Sequence, residues 1–178
     1  MMRTILKYGL IAGLIVGGFE FVTFGWFSGL PPLQYGLLIG YATMLIALSA
    51  VFVGIKRHRD LDRGGVIGFW PGFAIGLGVS LVASVFYVLA WEAVQVMTDM
   101  DFAQAYAQAI IASAQEKGAS AEALAKLGAD MDAFKIQYRD PLFRLPMTFA
   151  EMFPVGVLVS LVSAGLLRNH RFLPAQRG

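Results

Sequence analysis

The chain has no cysteine, only two histidines (His58 and His170), and few charged residues. Without thiols there can be no disulfide and no thiolate nucleophile, so any extracytoplasmic part must be held by packing alone. With both histidines in basic, polar stretches, no Ser/His/Asp or Cys/His set can be assembled, and no glycine fingerprint for a cofactor is present. An enzyme is therefore not expected, and no cofactor is implied. Charged residues make up 15% of the 178, against a quarter in an ordinary soluble domain, while 57% are hydrophobic. Lipid is the solvent that fits this balance.

The apolar excess falls into four segments, 8–27, 36–55, 72–94 and 148–167. At 1.5 Å per residue each is long enough to cross a hydrocarbon core of about 30 Å. None shows the polar alternation of a half-wet strand. The start, with Arg3 and Lys7 ahead of an apolar run, resembles a cleaved signal peptide. The run is too long, holds Glu20 and lacks an A-x-A site, which predicts a retained signal anchor.

Arg3, Lys7, Lys56, Arg57, Arg59, Arg63, Arg168, Arg171 and Arg177 flank the spans on one side, in the short segments that the positive-inside rule weighs most. The segment 98–147 on the other side holds Lys117, Lys126, Lys135, Arg139 and Arg144, outnumbered by acids. Both termini are therefore predicted to be cytoplasmic, in a bacterial inner membrane. The slightly basic balance is a topological signal and implies no nucleic-acid partner.

Segment 98–147 reads as an extracytoplasmic helical hairpin. Asp101 and Gln104 resemble a capping box, and Phe102, Tyr106, Ala109, Ile110 and Ser113 follow at helical spacing until Lys117-Gly118 supplies a stop. Ser120 can cap a second helix, whose Leu124, Leu127, Met131, Phe134 and Tyr138 form one apolar stripe. Asp140-Pro141 breaks the pattern before the fourth span. The stripe is read as packing in preference to a ligand groove.

Small residues recur at every fourth position: Gly9, Gly13 and Gly17; Gly72, Gly76, Ser80 and Ser84; Gly156, Ser160 and Ala164. Such faces let helix backbones approach closely. Packing within one bundle is the first reading, and a homo-oligomer seam the alternative.

Three carboxylates interrupt the spans: Glu20, Glu92 and Glu151. Counted from the outer ends of their helices they lie roughly 10, 8 and 5 Å deep. Charges there cost several kcal/mol unless paired, hydrated or neutralised, so a shared polar vestibule is expected, to which Tyr87, Trp91 and Gln95 could add hydrogen-bond donors. The plainer reading lets Glu92 and Glu151 reach interfacial water. Lys56, Arg57, Arg59 and Arg63 form a basic turn expected to touch anionic lipid head groups. Within that turn Arg57-His58-Arg59-Asp60 matches the letters of a kinase catalytic loop without its other motifs. His58, Asp60 and Asp62 lack a second ligand cluster, so no metal is expected.

The stretches GYATMLIALSAVFVGIKRHRDLDRGGVIGF, FAIGLGVSLVASVFYVLAWE and PLFRLPMTFAEMFPVGVLVSLVSAGLLR resemble a bacterial membrane family, domain of unknown function 4199. The resemblance implies a four-span protein with a helical outer loop between spans three and four, and no assigned reaction, substrate or catalytic residue. It directs attention to Gly54, Arg59, Asp60, Gly64 and Gly65 in the turn and to Glu151, Pro154 and Gly156 in the fourth span. The fold expected is thus an all-α membrane protein forming a single membrane domain. Its expected role is binding, scaffolding or assembly in the bilayer, with a small proton- or cation-coupled transporter as the alternative; any small-molecule ligand is undetermined.

Overall fold

The computed structural model describes residues 1–26, 33–98 and 101–175, and among these it is entirely helical. The expected end of the first span, Phe27, together with Asp99 and Arg177, lies outside the described residues. Six helices follow in order: α1 (Met2–Trp26), α2 (Leu33–Arg57), α3 (Phe69–Thr98), α4 (Phe102–Glu116), α5 (Ala121–Tyr138) and α6 (Pro141–Leu167). A π-helical turn, His58–Asp62, continues α2. Helices α1, α2, α3 and α6 are each long and apolar enough to cross a membrane. Around them large apolar side chains such as Leu14, Leu38, Ile46, Leu89 and Leu158 stay exposed.

Helix α3 is central, packed against α1 on one side and α6 on the other, with α2 touching all three. Small residues make this possible. A Cβ at Gly9, Gly13 or Gly17 would come within 3 Å of Val82, Phe86 or Ala90 respectively, so α1 and α3 run parallel in register with no room for a side chain between them. On the opposite face of α3, Gly72 meets Ala164, Gly76 meets Ser160, and Ser80 meets Gly156, which makes α6 antiparallel. The four-residue stripes therefore serve contacts inside one chain. Ser160 Oγ donates to the Gly156 carbonyl at 2.7 Å and accepts from Ser80 Oγ at 3.2 Å, so these two hydroxyls buried in the α3–α6 seam are partnered.

The local stops and starts follow turn chemistry. Gly118, at φ +76°, ends α4 with Gly118 N–H bonded to Gln115 O and Ala119 N–H to Ala114 O, a pairing that satisfies the last carbonyls. Asp101 Oδ1 caps α4 through the Gln104 N–H, and Ser120 Oγ caps α5 through the Ala123 N–H. Asp140-Pro141 does more than break a pattern. Asp140 Oδ1 accepts the Leu142 N–H and Pro141 takes the first helical position, where its missing N–H costs nothing, so α6 begins at Pro141 instead of Thr148. Helices α4 and α5 meet through aromatic rings, Phe102 against Tyr138 and Tyr106 against Phe134. Leu124, Leu127, Met131 and Phe134 are half-buried and Tyr138 buried, while most residues between them are exposed.

Candidate functional site

At the end of the bundle bearing α4 and α5, a cavity of about 310 Å³ is lined by residues from all six helices. Its body is apolar: Val16, Phe19 and Phe24 from α1, Ile39 and Met44 from α2, and Met147 from α6. Phe102 and Tyr106 of α4 and Phe134 and Tyr138 of α5 close it beside Trp91. A run of edge and tilted ring contacts holds that closure together, from Phe24 to Trp91 at 5.1 Å, Trp91 to Phe102 at 4.8 Å and Phe134 to Tyr138 at 5.3 Å.

Two carboxylates interrupt this apolar wall. Glu20 is 5% exposed, and its Oε2 is buried with no hydrogen-bond partner among the described residues. Glu151 stands at an exposed edge and accepts the Tyr87 hydroxyl at 3.0 Å on its Oε2. Hydroxyls of Tyr41, Thr23, Thr43 and Thr148 belong to other residues of the lining, and no Lys, Arg or His is found in it among the described residues. The chemistry available is therefore carboxylate, phenol and aromatic face. Both histidines are far off in sequence, and His58 is buried at the turn that follows α2.

Of the residues expected in one polar vestibule, Glu20, Tyr87, Trp91 and Glu151 are brought together, whereas Glu92 and Gln95 are not. Glu92 follows Trp91 on a helix, and a step of one residue turns its side chain away from the cavity. It meets Arg144 of α6 in a two-pronged ion pair, Nε to Oε1 at 2.6 Å and Nη2 to Oε2 at 2.5 Å. Arg144 Nη1 also donates to the Tyr138 carbonyl at 3.1 Å, tying the end of α5 to both long helices. Gln95 lies in the adjoining hollow with Glu92, Asp101, Arg139 and Arg144. Trp91 is buried and donates its indole N–H to the Tyr138 hydroxyl oxygen at 2.7 Å. Burial pushes the Tyr138 phenol up to about 12.

Arg144 and Tyr138 are the functional neighbours that the sequence pattern did not single out. Tyr138 stood at the end of the apolar stripe, where its ring explains its presence, and Arg144 counted only as loop charge.

The basic turn is divided. Arg57 and Arg63 are exposed, whereas Lys56 is half-buried and paired with Asp60. Arg59 is not: it is 0% exposed, bonded to Asp60 at Nε and donating from Nη1 to the Phe172 carbonyl at 3.0 Å and from Nη2 to that of Leu173. A guanidinium has five donors in a fixed fork, and the carbonyls past the end of α6 supply acceptors that a head group would otherwise provide. Leu173 adopts φ 45° to present its carbonyl, a conformation unusual for a side chain branched like leucine. His58 Nδ1 lies 2.6 Å from Asp62 Oδ2, close but misaligned for a hydrogen bond. Among the described residues no group of three or more metal-binding side chains is assembled.

No curated protein and no solved structure matches the chain. A family model does match, over residues 7–169, and that span contains all four long apolar helices in large part and every residue of the cavity. The chain belongs to the family described as protein of unknown function (DUF4199).

Proposed function

We propose that this is a multi-pass protein of the bacterial inner membrane, with both termini cytoplasmic, that binds a small, largely apolar molecule or a lipid without chemical conversion in the cavity beneath an extracytoplasmic α4–α5 hairpin. One observation carries the reading: an apolar hollow of about 310 Å³ is lined by Glu20, whose buried Oε2 meets no donor among the described residues. Membrane insertion is supported by the exposed apolar girdle and by the parallel and antiparallel registers of α1, α3 and α6, which fit a chain that alternates direction. At 30 residues α3 extends about 45 Å, so its last turns, with Glu92, rise past a hydrocarbon core of about 30 Å. Arg57, Arg63 and Lys56 then face the cytoplasmic head groups.

A second reading, a proton- or cation-coupled transporter, is favoured by Glu20 and Glu151 lining one cavity. Native mass spectrometry of the full chain in lipid nanodiscs separates the outcomes. A co-purifying molecule displaced by Gly40→Phe supports binding, since Gly40 lines the cavity and an added Cβ there meets nothing within 4 Å. Absence of any bound molecule, with added apolar probes failing to bind, counts against it. The same spectra report whether the chain forms a homo-oligomer.

A further inference from the structure

We infer that the occupant of the cavity is an organic cation, an ammonium-type head on an apolar body. The inference rests on the binding reading and names the class of ligand. Glu20 and Glu151 line one hollow in which no basic side chain takes part among the described residues. Arg144, the basic residue nearest to Glu151 along α6, is spent on Glu92 and the Tyr138 carbonyl. A carboxylate in such surroundings is costly unless a counter-charge or a proton relieves it, and Glu20, a lining residue, has an Oε2 that is buried without a hydrogen-bond partner among the described residues.

The walls decide what carries the charge. A bare calcium or magnesium ion takes six or more oxygen ligands in a small cage, whereas this hollow is about 310 Å³ and mostly apolar. Its size suits a small organic molecule. Aromatic faces from Phe24, Tyr41, Trp91 and Tyr106 border it, and such faces attract an alkylammonium through their quadrupole while accepting its apolar part. An anion would meet both carboxylates and the negative faces of the rings.

The test compares phenyltrimethylammonium with tert-butylbenzene, which has the same shape and a carbon in place of the charged nitrogen. Binding of each to the full chain in nanodiscs is measured by equilibrium dialysis, with Gly40→Phe nanodiscs subtracted to remove partition into lipid. The expected result is about tenfold tighter binding of the cation, and loss of that preference in Glu20→Gln while the neutral probe still binds. Glu151→Gln, at the exposed edge, is the second variant and should reduce the preference if Glu20→Gln fails to fold. Equal binding of the two probes overturns the cation assignment and leaves the binding reading standing. Absence of any difference between wild type and Gly40→Phe for both probes overturns the binding reading itself. A preference that survives both glutamine variants also overturns the inference.

Discussion

The indole N–H of Trp91 donates to the phenol oxygen of Tyr138 at 2.7 Å, with both side chains buried. This single bond joins the central long helix to the last residue of α5, at the point where the aromatic closure of the cavity meets the bundle. Trp91→Phe keeps the ring and removes the donor, leaving a buried hydroxyl short of a partner at a cost of about 1–3 kcal/mol. Faster amide exchange across 102–138, with α1 to α3 unchanged, is the expected outcome. Uniform protection in the variant would mean that the bond carries no weight in closing the cavity.

The Glu92–Arg144 pair should behave as a unit. Its side chains are 27% and 16% exposed, so the interaction is only partly screened. Arg144→Met leaves Glu92 without its counter-charge and should lower the thermal midpoint in nanodiscs more than Glu92→Gln with Arg144→Met together, because the double change removes the stranded charge. A double variant no better than the Arg144→Met single variant would show that packing of the arginine stem dominates.

Alkaline pH should loosen the α5 end. Burial raises the Tyr138 phenol to about 12 from an ordinary value near 10, so the folded state holds its proton after the unfolded state has lost it. The sign follows: this group leaves stability unaffected below about pH 10, and stability then declines as pH rises from about 10 to 12. Tyr138→Phe should remove that part of the decline. Identical pH profiles for variant and wild type would contradict it.

Two kinds of glycine should separate cleanly. An added Cβ at Gly76 would lie 2.7 Å from the Ser160 Cβ, and one at Gly156 2.6 Å from the Ser80 Cβ, so alanine at either forces α3 and α6 apart and weakens the Ser80–Ser160 bond. A loss of about 1–3 kcal/mol is expected for each. Gly18 has nothing within 4 Å, and Gly18→Ala should be neutral or slightly stabilising. Thermal midpoints of the three variants in one lipid composition decide the comparison.

Because the chain has no cysteine, orientation can be read from single introduced thiols. A cysteine at Ser120 should react with an impermeant reagent added outside spheroplasts, and one at Arg63 should react only after the membrane is opened. The reverse pattern would invert the proposed topology.

What the sequence makes legible is what repeats. Four apolar runs, the small-residue stripes and the caps at Asp101 and Ser120 are local patterns: each run falls within a long helix as far as it is described, and the stripes and caps make the contacts that their spacing suits. What it hides is pairing at a distance. Nothing near Glu92 announces Arg144, 52 residues later, because a basic residue in a loop also fits a purely topological account. Arg59 is hidden for the same reason: the positive-inside rule counts charges without asking where their donors point, and its acceptors are backbone carbonyls more than a hundred residues away. Asp140-Pro141 reads as a break from the pattern alone, whereas the structure uses it to start α6, since one dipeptide serves both uses. Glu20 could be ranked by depth along its helix, but that its Oε2 meets no partner among the described residues depends on how six helices surround it.

Arg59 also sets an order of assembly. Its charge occupies the fully buried interior of the turn after α2, yet the carbonyls of Phe172 and Leu173 that receive it are made more than a hundred residues later. Until then Asp60 is the protein acceptor within its reach. A guanidinium short of acceptors is costly to bury, so that corner is expected to stay hydrated until the segment after α6 arrives. A chain truncated before Phe172 would keep every long helix and still carry an open, wet corner where the finished protein is dry.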